Sequence, residues 1–211
     1  LGNTVWCVDK DKKKIDMLNN NKIPIYEPGL EELVKKNFAF GRLSFTSDLG
    51  LAVSKSDIVF ICVGTPVSKN NKSADLQYVF KAASDISKHI NKFKIIVTKS
   101  TVPVFTGDKI EKILNKKKSK KLFEVVSNPE FLREGEAIRD FRFPDRIVIG
   151  SNSQKATKKL ETLYEPLIKK GSTFFSTNRR GAEMIKYASN AFLATKISYI
   201  NEFANLCEKT G

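Results

Sequence analysis

Histidine is nearly absent from this sequence: His89 is the only one in 211 residues. That excludes a histidine-rich metal centre and leaves almost no room for a Ser-His-Asp triad. Cysteine is scarce too. Cys7, Cys62 and Cys207 are odd in number, far apart and without Cys-x-x-Cys spacing, which argues against a disulfide scaffold or a zinc knuckle. No apolar run approaches the roughly 18–20 residues of a membrane-crossing helix, so no membrane partner is expected. No charged segment leading into an apolar one opens the chain; a secretory signal is not expected, and a cytoplasmic location is. What the sequence does have is 41% hydrophobic and 10% aromatic residues. That is enough to bury a core, and it excludes a disordered chain. The length suits one large domain, or one domain plus a piece of another.

Acidic residues are also in the minority, 23 against 37 Lys and Arg, for a formal net charge of +14. Such a balance is a first hint of an anionic partner. Only seven of the 37 are Arg, however, and Arg supplies the donor fork that phosphate and base-edge readers use. The Lys residues accompany Asn and Ile, as in Asn115-Lys116-Lys117-Lys118. This pattern reads as a residue-usage bias on solvated faces, with no nucleic acid partner. A basic nucleic-acid-binding module remains the alternative from another class, and it predicts steeply salt-dependent binding.

Short apolar runs alternate with longer amphipathic ones. Thr4–Val8, Ile58–Val63, Ile95–Val97, Phe123–Val126 and Arg146–Ile149 read as strands, and Leu43–Thr46 as a weaker one. Four of the first five are nearly continuous in apolar residues, as in parallel strands covered on both faces. Helical stretches lie at about 10–20, 28–37, 75–91, 106–115 and 154–168. Ser47-Asp48 and Ser73 are candidate caps, and Asn70-Asn71-Lys72 is a polar loop. The alternation predicts an α/β fold: a doubly wound, Rossmann-like, mostly parallel sheet. From Arg179 to Gly211 the pattern is purely helical, with Ile185, Ala188, Phe192, Thr195, Tyr199, Phe203 and Leu206 in one stripe. The boundaries expected are 1–178 for the doubly wound domain and 179–211 for the start of a helical one.

In doubly wound sheets ligands bind where strands end. Asp9 follows the first run; it is either a ribose-binding carboxylate, favouring NAD over NADP, or a helix cap. Val63-Gly64-Thr65-Pro66, Ser100-Thr101-Val102-Pro103 and Ser127–Gly135 follow three others. Each alone is an ordinary turn, but together they converge on one edge. If Phe131–Gly135 form a turn of helix, Glu130 and Glu134 share a face and suit acid–base work; otherwise they are solvent-facing acids. Lys186 and Asn190, also four apart, offer a cation and an amide donor for a developing oxyanion, or else lie on an ordinary exposed face.

These stretches, together with Ile25-Tyr26-Glu27-Pro28-Gly29-Leu30, Lys99-Ser100-Thr101-Val102-Pro103, Asn128-Pro129-Glu130-Phe131-Leu132-Arg133-Glu134-Gly135 and Lys186-Tyr187-Ala188-Ser189-Asn190, resemble the nucleotide-sugar dehydrogenases, the UDP-glucose/GDP-mannose dehydrogenase family. The resemblance implies NAD as cofactor and UDP-glucose as substrate, oxidised with two NAD+ and water to UDP-glucuronate through two successive hydride transfers. GDP-mannose or another nucleotide sugar is the alternative substrate. It further implies that Asp9, with Lys14 near it, holds the adenosine ribose, and that Val63, Gly64, Thr65, Pro66, Ser100 and Val102 line the NAD site beside Glu134. Thr101 and Glu130 would place or activate water, with Glu130 as general base. Phe131, Leu132 and Arg133 would contribute to the sugar-nucleotide pocket, and Lys186 and Asn190 would stabilise the negative oxygen at the sugar C6. A homodimer through the central helix is implied as well. The family's first strand with its glycine-rich turn is expected before Leu1, and its nucleophilic cysteine after Gly211. None of the three cysteines present takes that role, so the 211-residue chain alone is expected not to turn over.

Overall fold

A computed structural model describes residues 2–68, 73–117 and 122–211. The expected loop at 70–72 and residues 118–121 of the lysine-rich connection lie outside the described residues. In chain order the elements are β1 (Val5–Val8), α1 (Lys12–Asn19), α2 (Leu30–Ala39), β2 (Leu43–Thr46), α3 (Leu49–Lys55), β3 (Ile58–Ile61), α4 (Gln77–His89) and β4 (Lys94–Thr98). There follow α5 (Thr106–Asn115), β5 (Phe123–Ser127), α6 (Ala137–Arg142), β6 (Arg146–Gly150), α7 (Gln154–Ile168), β7 (Thr173–Thr177) and α8 (Arg179–Thr210). The strands form a five-stranded sheet ordered β3-β4-β5-β6-β7 and a parallel pair, β1-β2. Pairing is parallel except between β5 and β6, which run antiparallel and meet at Ser127 and Gly150. The architecture is the expected Rossmann-like α/β fold, mostly parallel and followed by a long helix.

β4 shows why the five-stranded sheet is the core. All five of its residues are buried, since Ile95, Ile96 and Val97 have helices α4 and α5 on one face and α7 on the other. Full burial of each such side chain contributes roughly 1.5–3 kcal/mol. Lys94, in the same strand, is buried through a different device. Its ammonium donates to the Ser56 carbonyl at 2.6 Å, just past the end of α3, where helix carbonyls lack partners.

Side-chain caps fix several helix starts: Asp11 on α1, Asp48 on α3, Ser153 on α7 and Asn178 on α8. Ser73 does not cap α4; Asp75 accepts from Gln77 N at 2.9 Å instead. β7 was not among the expected strands. Its Thr173-Phe174-Phe175-Ser176-Thr177 run is polar at both ends and half exposed, so it lacks the continuous apolar signal of its neighbours. α3 and α6, of seven and six residues, are too short to show helical periodicity clearly.

The first turns of α8 are locked to the sheet. A Cβ on Gly150 would lie 2.5 Å from Ala182 Cβ and 2.9 Å from Arg179 Cα, so only glycine lets the helix come this close. Arg179 pairs with Asp108 at 2.9 Å and with Glu111, both on α5. The buried Glu183 carboxylate accepts from Phe105 N at 2.8 Å and Gly107 N at 2.7 Å, filling the donors at the start of α5. Burial pushes its carboxyl above the usual range, against those two hydrogen bonds.

Candidate functional site

The strand ends of the five-stranded sheet carry a connected group of side chains. Beyond β5, Glu130 Oε1 pairs with Lys186 Nζ of α8 at 3.0 Å, and its Oε2 accepts from Leu132 N at 2.6 Å. Lys186 is nearly buried and Glu130 partly so. The Phe131 ring lies under two cations, 4.3 Å from the Arg146 guanidinium and 5.2 Å from Lys186 Nζ. Such a face attracts cations and holds the ammonium beside the carboxylate. The result is a carboxylate and a cation side by side, the carboxylate partly open to solvent.

The neighbouring loops are tied to one another. Beyond β3, Thr65 Oγ1 donates to the Thr101 carbonyl at 3.0 Å, and Ser100 Oγ donates to the Val63 carbonyl at 2.6 Å. Asn128, buried at the end of β5, accepts at Oδ1 from Tyr164 OH at 2.6 Å and from Lys99 Nζ at 3.3 Å; its Nδ2 donates to the Val148 carbonyl at 2.9 Å. Burial pushes the Tyr164 hydroxyl well above its ordinary pKa and brings the Lys99 ammonium down to about 8. On the smaller sheet, Asp9 follows β1. It accepts from Asp11 N at 3.0 Å and pairs with Lys14 at 3.1 Å. The Asp11 N–H, and next to it the Lys14 ammonium, outweigh a small desolvation and hold this carboxyl below the usual range. Lys10, next to Asp9, lies 5.3 Å from the Tyr78 ring centroid at the start of α4.

Several expectations change. Asp9 is not the cap of α1, because Asp11 is. Phe131–Gly135 form no helical turn; Glu134 stands exposed in a turn before α6, and Glu130 faces Lys186 instead of sharing a face with it. Val102 packs in the core, so only its backbone can face a ligand. Arg133 is engaged by Asp140, whose Oδ1 and Oδ2 accept from its guanidinium at 2.7 and 3.0 Å. Leu132, Gly64 and Pro66 are exposed on the rim. Asn190 is exposed one turn beyond Lys186 and makes no hydrogen bond through its side chain among the described residues. Thr101 and Glu130 are likewise not bonded to each other. Cys7 and Cys62 read as buried strand residues; Cys7 lies inside β1 but only half-buried, and Cys62 is exposed just past β3.

Sequence reasoning missed three residues. Lys99 is a charged side chain directly after a buried strand, a placement that could have marked it. Tyr164 lies on α7, where its partner Asn128 is 36 residues away. Glu27 reaches 108 residues along the chain: its carboxylate accepts from Gly135 N at 2.9 Å and Ala137 N at 2.8 Å and so fixes the far end of the Glu130 loop. No local pattern announces either of the last two.

Residues 1–168 match the family model described as UDP-glucose/GDP-mannose dehydrogenase family, NAD binding domain, and residues 180–211 match the same family's central domain. The chain is 53% identical over 213 residues to UDP-glucose 6-dehydrogenase of Rhizobium meliloti, covering 100% of this chain and 49% of that protein. It is likewise 53% identical over 212 residues to UDP-glucose 6-dehydrogenase TuaD of Bacillus subtilis, covering 100% of this chain and 45% of the relative. It thus spans about half the length of the curated relatives it matches. Among solved structures, a UDP-glucose dehydrogenase from Pyrobaculum islandicum superposes with a TM-score of 0.90 at 40% identity, covering 95% of this chain and 46% of that one. GDP-mannose dehydrogenase from Pseudomonas aeruginosa gives 0.88 at 40% identity, covering 95% and 47%.

Proposed function

Because this chain belongs to the UDP-glucose/GDP-mannose dehydrogenase family, we propose that it supplies the NAD-binding portion and part of the reaction centre of an enzyme that oxidises UDP-glucose to UDP-glucuronate. One observation carries the assignment of roles: the 3.0 Å ion pair between Glu130 and Lys186 at the strand ends. A lysine this close to a carboxylate can face a negative oxygen at the sugar C6 and still keep Glu130 in place. Glu130, partly open to solvent, is set to take a proton from water in the hydrolytic step. Thr101 lines the same rim and Asn190 adds an amide donor to the oxyanion site.

The residues at β1 fit NAD. The Asp9 carboxylate keeps a lone pair on each oxygen after its bonds to Asp11 and Lys14, which suits two ribose hydroxyls. Bound NAD supplies the hydride acceptor. Val63–Pro66, Ser100 and the Val102 backbone border the space between the rims, with Glu134 beyond them. Phe131, Leu132 and Arg133 lie on the sugar-nucleotide side. We place residues 1–178 in the cofactor domain and 179–211 in the start of the central one, in a cytoplasmic homodimer. In support of a dimer, Phe192, Leu193, Tyr199, Ile200, Phe203 and Leu206 of α8 are each at least 47% exposed. An apolar face of this length calls for a cover, and the occupant we propose is a second copy.

The test is NADH formation by the full-length protein with UDP-glucose and with GDP-mannose. UDP-glucose is expected to have the higher kcat/KM, and Glu130→Gln to lower kcat by about 10²–10⁴-fold while NAD still binds. A preference for GDP-mannose, or full activity in the variant, sinks the assignment.

A further inference from the structure

Lys99 connects the two loops on which the proposed chemistry depends. It stands two residues before Thr101, and its ammonium donates at 3.3 Å to Asn128, which stands two residues before Glu130. Among the described residues this is the only side-chain hydrogen bond between those loops. Asn128 is a fixed anchor for it: the residue is 1% exposed, and the remaining side-chain bonds run to Tyr164 and Val148 on different elements. An ammonium carries three donors, and Lys99 makes one hydrogen bond through its side chain among the described residues. The groups around it are the Tyr164 ring, 6.0 Å from Nζ, the Cys62 thiol after β3, the Glu130 carboxylate after β5 and the Lys186 ammonium on α8.

We propose that Lys99 is a positioning residue of the reaction centre: in its charged form it holds the Thr101 loop against the Glu130 loop and adds a second positive charge in the neighbourhood of Glu130. The inference rests on the roles proposed above for Glu130 and Lys186. When Lys186 shares its charge between Glu130 and a negative oxygen on the substrate, the charge of Lys99 adds to its hold on the carboxylate. Nothing is transferred to or from Lys99.

Charge is the essential part, and it is pH-dependent. Burial lowers the Lys99 amine to about 8; the neighbouring Cys62 and Glu130 oppose the shift, and Lys186 adds to it. The ammonium is therefore present below about pH 8 and lost above it.

The experiment follows kcat of the full-length protein, at saturating UDP-glucose and NAD, from about pH 6 to about pH 10, for wild type, Lys99→Arg and Lys99→Met. Melting temperatures are measured in parallel. Wild-type kcat is expected to fall above about pH 8. Lys99→Arg removes that fall, since a guanidinium stays charged throughout. Lys99→Met loses about a hundredfold in kcat with little change in either KM, the size expected when loops slip by about an ångström. Variants that melt earlier but scale the wild-type profile without moving its alkaline limb overturn the inference and leave the parent assignment standing. Where neither variant folds, the wild-type profile decides, because a kcat flat across about pH 7–9.5 overturns it too. Absence of NADH formation by wild type at every pH instead removes the parent assignment, and this inference with it.

Discussion

At the ends of β3, β4 and β5 the site side chains are held by partners far away in sequence, whereas at the end of β1 the bonds are local. Glu130 meets Lys186, Lys99 meets Asn128, and Thr65 meets Thr101 at separations of 56, 29 and 36 residues. Asp9 takes its hydrogen bonds from residues two and five positions on. The strands below differ in the same way, β4 being buried throughout and β1 exposed at both ends. Groups that must keep charge and distance during a reaction need a rigid, shared frame. A carboxylate that reads a ribose through its own lone pairs can sit on a short turn. The difference yields separable expectations: damage at the first rim should cost stability and catalysis together, and damage at the second should cost cofactor affinity alone.

The largest effect on stability is expected at Asn128. Replacing it with Ala leaves Tyr164 OH and the Val148 carbonyl buried without partners and frees Lys99. Each unsatisfied buried group costs about 1–3 kcal/mol, so Asn128→Ala should lose about 3 kcal/mol, roughly 6–12 °C in melting temperature. Denaturant and thermal unfolding measure it. A loss below about 1 kcal/mol would mean that this rim is no more interlocked than the other.

Asp9→Asn tests the opposite side of the comparison. Its bonds are exposed and local, so stability should stay within about 0.5 kcal/mol of wild type. An ionised acceptor is worth about 1.5–3 kcal/mol to a hydroxyl donor. KM for NAD in the full-length protein should therefore rise about tenfold or more, with kcat nearly unchanged. A fall in kcat with KM untouched would place Asp9 in the reaction centre and erase the distinction between the rims.

Local and long-range construction also explains what could be read from the residues. The strands β1 and β3 to β6 announce themselves as apolar runs, and β2, alternating Leu, Ser, Phe and Thr, more weakly. The stripe on α8 predicts a helix, and Asp48 sits where a cap belongs. β7 escapes because its faces are half exposed and its apolar content falls to two phenylalanines. At the site, Thr101, Glu130 and Lys186 stand out through their place after strands or their helical spacing. The pairing of Glu130 with Lys186 is invisible until β5 and α8 pack, and an assumed turn of helix directed Glu130 toward Glu134 instead. Glu27, Lys99 and Tyr164 share that origin: each acts through a tertiary contact that no periodicity encodes. The apolar stripe on α8 shows the reverse limit. Of its residues only Ile185 is half-buried, and Phe192, Tyr199, Phe203 and Leu206 are exposed, since periodicity defines a face but not what covers it.

The smallest effect concerns Arg133 and Asp140, a pair that lies between the two kinds of rim, seven residues apart and on the surface. The Arg133 guanidinium, followed by the Arg133 backbone N–H, holds the Asp140 carboxyl at about 2. A carboxyl lowered in the folded state contributes stability above its unfolded value, near 3.9, and loses it as pH falls toward 2. Acid unfolding of wild type should therefore be steeper between about pH 4 and pH 2 than that of Asp140→Asn, with the two nearly equal at pH 7 after solvent screening. The Asn variant still accepts from the Arg133 backbone, so the loop itself should stay in place. If the variant also loses affinity for UDP-glucose at neutral pH, the guanidinium is aimed by Asp140 and not merely parked on it. The pair then belongs with the interlocked rim, and the boundary between the two kinds of construction moves outward to α6.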